Sequence, residues 1–352
     1  MRIVNCRFRP YNHSSMPVTL RSFAKINLGL RVGASRADGY HELLTVYQTI
    51  GLHDVIRVSV ERGLGIEIQC ADARVPKDET NTCYRVAQRA MPLLHAKGRV
   101  LIQIDKRLPV QGGLGGASAN AVSTLLGLER VLKKILPTGE RLRIMAEVGS
   151  DLPLFLPGGT VLGLGRGEEV YPLPDLPPIP CVVVTPEIGV STPKAFAEWD
   201  RRREADLHSA GQRTAAVPAR AAHTLTVART SDRIDELSHG LSAWLSEQYS
   251  GAPFGRGRAE NPLLALVRAG IKNDFEEVVF PEYPELGEAK TALLRAGAKY
   301  ASLSGSGSTL YGLFASKAAA ASAALRVRRL GWATQVTATL SRSAYRRRMF
   351  VG

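Results

Sequence analysis

Three features of the sequence could carry chemistry: the run Gly112-Gly113-Leu114-Gly115-Gly116, the carboxylate of Asp151 and the ammonium of Lys25. Glycine lets successive main-chain N–H groups turn inward. A helix that opens there adds the positive end of its dipole, so the loop suits the phosphates of a nucleotide. It is not a P-loop, because no G-K-[ST] follows, and it lacks the G-x-G-x-x-G of dinucleotide folds. Read alone, the run is either an anion site or a plain glycine turn. Asp151 stands two residues before Pro153, where it could cap a helix or take a proton from an acceptor hydroxyl. Lys25 lies in Phe23-Ala24-Lys25-Ile26-Asn27-Leu28-Gly29-Leu30, whose even positions are apolar. Lys25 and Asn27 are therefore expected to share the opposite strand face with Phe23. Tyr40, His41 and Phe196 offer rings and a polar edge that could stack on and read a nucleobase, or could simply pack.

The elements around these residues follow from pattern. Residues 18–60 and Gly65 to Cys70 read as strands, and Arg99 to Asp105 alternates as another. Asn81 to Ala96 carries helical spacing through Val86, Ala87, Ala90, Leu93 and Leu94. The glycine run feeds a helix over Ala117 to Leu136, so the order is strand, glycine loop, helix. Pro174 to Pro180 reads as a hinge and Cys181 to Thr185 as a buried strand. Residues 201–260, rich in Ala, Arg and Ser, read as an insertion, partly helical and partly mobile. Beyond it come a helix (Glu285 to Ala296), a strand (Tyr300 to Leu303), a glycine turn (Ser304 to Ser308), a strand (Thr309 to Phe314), a helix (Lys317 to Leu330) and a strand (Ala333 to Thr337). This succession predicts an α+β protein.

The chain of 352 residues is long enough for two domains. Its four cysteines are far apart and suggest neither a disulfide framework nor a zinc site. No apolar run is long enough to span a bilayer. The net charge of +14 fits either a nucleic-acid binder or an enzyme for anionic nucleotides. The basic runs lack interleaved aromatics, which favours the enzyme. Residues 1–17 are expected to be a disordered or non-native extension, with the true start at Met16.

Pro109 to Ser118 resembles the phosphate loop of the GHMP kinase superfamily. Ala24-Lys25-Ile26-Asn27-Leu28 with Asp38-Gly39-Tyr40-His41-Glu42-Leu43, Gly149 to Phe155, Gly163 to Glu168, and Ser304 to Ser308 resemble one branch of it most closely. That branch phosphorylates a cytidine-diphosphate-linked methylerythritol in the non-mevalonate isoprenoid pathway. The resemblance covers roughly residues 18–200 and 261–340. It implies a two-domain GHMP kinase fold: a ribosomal protein S5 domain 2-like N-terminal domain over 18–175 and a ferredoxin-like C-terminal domain over 176–345, with the insertion at about 201–260. It implies ATP and Mg²⁺, with Asn81, Lys106, Pro109, Gly112, Gly113, Leu114, Gly115, Gly116, Ala117 and Ser118 on the nucleotide side. Lys25 and Asp151 would be catalytic, with Lys25 orienting the aspartate and stabilising the acceptor oxygen. Asn27, Tyr40, His41, Thr192 and Phe196 would hold the acceptor, with Tyr40 and Phe196 sandwiching cytosine and His41 hydrogen-bonding it. No side chain is assigned as a metal ligand.

The implied partner is a small molecule with a cytidine diphosphate moiety, without nucleic acid or membrane. The implied protein is a cytoplasmic monomer or homodimer. Ala117 and Gln111 stand where this branch commonly has glycine, and Ala119 replaces a second serine. These departures leave room for an inactive relative. The residues also admit a mevalonate- or homoserine-type kinase, and the basic charge admits an RNA-binding protein.

Overall fold

The computed structural model describes residues 16–213 and 271–352. The expected disorder of residues 1–15 and most of the expected insertion, 214–260, lie outside the described residues.

The first sheet is built on two long strands, β1 (Val18–Ser35) and β2 (His41–Glu61), paired antiparallel. β3 (Ile66–Cys70) pairs parallel with β4 (Arg99–Asp105), and β4 pairs with the second half of β2. β5 (Thr160–Leu164) pairs with the first half of β2 and with β6 (Glu169–Pro172). Helices α1 (Thr82–Leu93), α2 (Gly116–Leu132) and α3 (Thr138–Val148) cover one face of this sheet. The packing is close. A methyl on Gly127 of α2 would lie 2.8 Å from Val58 and 3.1 Å from Leu20, so only glycine lets this helix sit so near the strands.

The second sheet has the order β10-β7-β9-β8, from β7 (Pro180–Val184), β8 (Tyr300–Leu303), β9 (Leu310–Leu313) and β10 (Thr334–Ala338). Its helices are α4 (Thr192–Arg213), α5 (Glu276–Glu282), α6 (Pro284–Arg295) and α7 (Lys317–Arg329). Between the two sheets lies a shared apolar layer. It includes Ala24, Ile26 and Leu28 of β1, Val46 of β2, Cys181 and Val183 of β7, and Tyr311 and Leu313 of β9. Ala24, Ile26 and Leu28 of β1 therefore face the second sheet, and Lys25 and Asn27 point away from that layer.

Several elements differ from the sequence expectation. The helix expected to reach Leu136 ends at Leu132, where Lys133 takes φ 52° and Pro137 follows. Helix α4 runs on through residues 201–213, the start of the stretch expected to be partly helical. The periodicity of α3 is too weak to read in the sequence. Helix α8 (Arg342–Met349) and strand β11 (Phe350–Val351) carry no clear sequence signal either. They return to the first sheet, where Leu20 pairs with Phe350, and Tyr345 and Met349 pack with Leu20 and Phe23. The Arg346 to Arg348 run is thus the polar side of a helix whose other side is buried.

Candidate active site

The glycine run lies between β4 and α2. Gly115 caps α2 at φ 67°, ψ 21°, and no side chain caps the helix start, so the first-turn N–H groups are available to an anion. Gln111 also sits in the left-handed region, at φ 60°, which explains why this position favours glycine. The loop is packed from three sides. The main chain of Lys25 donates to the Leu114 carbonyl. The Ser304 hydroxyl donates to the Gly113 carbonyl at 2.8 Å. A methyl on Gly115 would lie 2.9 Å from the Phe155 ring and 3.0 Å from the Lys25 side chain. A cavity of 350 Å³ opens in front of the loop, lined also by Asn81, Lys106, Pro109 and Ser118, a size suited to a small ligand.

Lys25 is 3% exposed, and its Nζ lies 3.3 Å from Asp151 Oδ2. The Asp151 side chain is 35% exposed, so one partner is fixed in protein while the other opens to a ligand. Two bulges in the β1–β2 pairing, at Phe23/Lys25 and Asn27/Gly29, set this aim. Tyr311 donates to the Asn27 carbonyl at 2.7 Å and Tyr300 to the Leu28 carbonyl at 3.0 Å. Lys25 Nζ donates to Asn27 Oδ1 at 2.6 Å, and Asn27 Nδ2 donates to the Thr45 hydroxyl. Both ends of the Asn27 amide are thereby fixed. Asp151 is not a helix cap: the short 3₁₀ turn Pro153–Phe155 is preceded by Leu152 as its cap residue. Its carboxylate instead accepts from the Tyr47 hydroxyl at 3.0 Å. The Ser304 to Ser308 turn closes over this pair. A methyl on Gly305 would lie 3.5 Å from Lys25 Nζ, and Asn273 Nδ2 pins the turn through the Leu303 and Gly305 carbonyls.

His41 and Phe196 come together from β2 and α4 with ring centroids 4.7 Å apart and planes 14° apart. His41 Nε2–H donates to Asp200 Oδ1 at 2.7 Å, and Phe275 meets the Phe196 ring edge-on. Tyr40 is 51% exposed, and the Arg166 guanidinium lies over its ring at 4.9 Å. The ring pair in the structure is therefore His41 with Phe196, while Tyr40 stands beside it with Arg166 on its face. The Thr192 hydroxyl bonds the Ser306 hydroxyl at 2.7 Å, tying α4 to the glycine turn.

On the nucleotide side, Asn81 is buried and spent on structure: its Oδ1 accepts from the Cys83 N–H and its Nδ2 donates to the Pro76 carbonyl. Lys106 Nζ is bound to Asp54 Oδ2 at 2.8 Å. Sequence reasoning missed Asp54 altogether. It is fully buried and also accepts from the N–H groups of Arg107 and Leu108 and from Asn120 Nδ2. It thus fixes the chain entering the loop to the helix leaving it. Its only sequence signal was a carboxylate in the middle of the strand-like stretch that becomes β2. Removing one partner of a buried charged network typically costs about 3–5 kcal/mol. We expect Asp54→Ala to lose about that much unfolding free energy in equilibrium urea denaturation; an unchanged midpoint would refute the assignment.

Residues 81–159 match the family described as GHMP kinases N terminal domain, and residues 259–331 match GHMP kinases C terminal. The 4-diphosphocytidyl-2-C-methyl-D-erythritol kinase of Solibacter usitatus is 36% identical over 299 residues, covering 84% of this chain and 80% of the relative. That of Moorella thermoacetica is 34% identical over 323 residues, covering 92% and 99%. Among solved structures, a 4-(cytidine 5'-diphospho)-2C-methyl-D-erythritol kinase superposes with TM-score 0.66 at 26% identity, covering 91% of this chain and 98% of that one. A homoserine kinase from Cytophaga hutchinsonii superposes with TM-score 0.64 at 20% identity, covering 96% and 98%, a likeness of fold alone.

Proposed function

The chain belongs to the 4-diphosphocytidyl-2-C-methyl-D-erythritol kinases of the GHMP kinase family, and from that membership we infer that it phosphorylates the 2-hydroxyl of this acceptor with ATP. The observation that carries the reading at the level of residues is the 3.3 Å approach of Lys25 Nζ to Asp151 Oδ2, beside a glycine loop that opens a helix.

ATP lies across Gly112 to Ser118, with its phosphates on the main-chain N–H groups at the start of α2. Pro109, Asn81 and Lys106 line the same hollow, with Asn81 and Lys106 shaping its wall rather than offering free polar ends. The acceptor hydroxyl approaches Asp151, which takes its proton as the oxygen attacks the γ-phosphorus, the bond to the β,γ-bridging oxygen breaks, and ADP leaves. Lys25 lies beside the attacking oxygen and offsets the charge that develops there. Transfer is direct, from ATP to the acceptor, with Asp151 acting on the acceptor's proton rather than on phosphorus. The cytidine end docks at His41, Phe196 and Tyr40, with Asn27 and Thr192 along the acceptor path.

The loop fits a Mg²⁺-bound nucleotide, because the start of α2 has no side-chain cap and leaves its first main-chain N–H groups for the phosphates. Among the described residues no three His, Cys, Asp or Glu side chains cluster at metal-binding spacing. The ion would thus be held mainly by phosphate oxygens, with the Ser118 hydroxyl in the first turn of α2 beside them. When bound, Mg²⁺ neutralises charge on the β- and γ-phosphates. Ala119 is buried, so a second hydroxyl is not needed at that position for the loop to pack.

A kinase assay with the cytidylyl acceptor, mevalonate and homoserine tests the reading. Turnover is expected with the cytidylyl acceptor alone; equal turnover of mevalonate would overturn the assigned specificity. Aromatic–base stacking contributes about 1–3 kcal/mol. Phe196→Ala is therefore expected to raise KM for the cytidylyl acceptor about tenfold or more, with KM for ATP unchanged.

A further inference from the structure

Tyr47 has no part in the catalytic assignment above, yet it touches the aspartate on which that assignment rests. It lies on β2, is 2% exposed, and its hydroxyl donates to Asp151 Oδ1 at 3.0 Å. Lys25 takes the other carboxylate oxygen, and Lys25 Nζ also lies 5.5 Å from the centroid of the Tyr47 ring. The ring occupies a slot left open by two glycines of the Gly163 to Glu168 stretch. A methyl on Gly163 would lie 2.5 Å from the Tyr47 ring, and one on Gly167 would lie 2.4 Å from its hydroxyl oxygen. Gly167 is at φ 99°, and Leu43 donates to the Gly165 carbonyl, which holds this turn against the start of β2. The Gly-x-Gly-x-Gly spacing thus has a mechanical reason: it admits a phenol to a depth from which it reaches Asp151.

We propose that Tyr47 is a positioning residue for phosphoryl transfer, holding Asp151 through Oδ1 so that Oδ2 is presented to the acceptor hydroxyl beside Lys25. The inference rests on the reading of Asp151 as the proton acceptor. The hydrogen bond from the buried phenol restrains the rotation about the Asp151 side chain that would swing Oδ2 away from the acceptor. Small misplacements of a reacting group cost rate steeply. The hydroxyl faces Asp151, with Lys25 and Glu168 as the nearby charges. Burial pushes the Tyr47 phenol well above its ordinary range, and the negative charges of Asp151 and Glu168 push the same way. The phenol therefore keeps its proton and remains a donor throughout the working pH range.

The test is a double-mutant cycle on the full chain with Tyr47→Phe and Asp151→Asn, read by single-turnover kinetics and thermal unfolding. Tyr47→Phe is expected to lower kcat about tenfold, roughly the effect of one charge-assisted hydrogen bond. KM for both substrates should stay within about twofold, because the bond touches neither ligand. In the Asp151→Asn background the same change should cost less than about twofold, since its effect runs through the carboxylate. An unchanged kcat in Tyr47→Phe beside an inactive Asp151→Asn overturns this inference alone. An equal loss in both backgrounds overturns it as well, because the effect would then bypass Asp151. Full activity in Asp151→Asn overturns the catalytic reading and this inference together.

Discussion

Asp151→Asn is expected to lower kcat by about 10²–10⁴, the usual range for a positioned acid–base group, while an ATP analogue binds within about twofold of its original affinity. Asparagine matches the shape of aspartate but cannot take the acceptor's proton. Asp151 meets Lys25 and Tyr47 and does not line the nucleotide hollow, so the loss should fall on the chemical step. Isothermal titration with a non-hydrolysable nucleotide, paired with the kinase assay, separates the two effects. Retention of most of the activity would remove Asp151 from catalysis. The amide also gives Lys25 a neutral partner in place of a charge, so part of the loss would reflect a misplaced ammonium.

Gly113→Ala should be nearly as damaging, by a different route. At φ 76° an L-side chain is strained, and the added methyl would lie 2.1 Å from the Ser304 carbonyl oxygen and 3.1 Å from that of Gly307. Ser304 cannot retreat without moving the turn that Asn273 pins and that borders Lys25. A displacement of about an ångström in a catalytic loop can cost about 10²-fold in rate. We expect kcat/KM for ATP to fall by at least that factor and affinity for the nucleotide analogue to weaken about tenfold or more. Gly139→Ala is the control: it lies in α3 with an ordinary φ and nothing within 4 Å of the added methyl. It should leave activity unchanged and stability equal or slightly higher. Wild-type kinetics in Gly113→Ala would show that the loop does not need this close approach.

Much of the fold was legible because the signals are local. Alternation along β1, helical spacing after Asn81, and a glycine run opening α2 are properties of neighbouring residues, and the structure keeps them. The termini of these elements were less legible: α2 stops at Leu132 because Lys133 adopts a left-handed conformation, which no apolar period announces. Weak or short elements escaped for the same reason. α3 buries only three side chains, Ile144, Met145 and Val148, and β11 has two residues that become a strand only by pairing with β1.

The chemistry divides along the same line. By itself the sequence determined the kinds of group present: a glycine loop able to offer main-chain N–H groups, a lysine and asparagine on one strand face, an aspartate before a proline, and an aromatic–histidine pair. Tertiary structure decided which of them meet. It brought Asp151 to Lys25 and Tyr47, drew Phe196 and Asp200 of α4 to His41, and made Asp54 a buried centre for both sides of the loop. It also spent Asn81 on a helix cap. The physical reason is that strand and helix periodicity are set by the backbone within a few residues. A hydrogen bond between residues far apart in the chain depends instead on bulges, sheet pairing and close glycine contacts, none of which leaves a mark in the residues it joins.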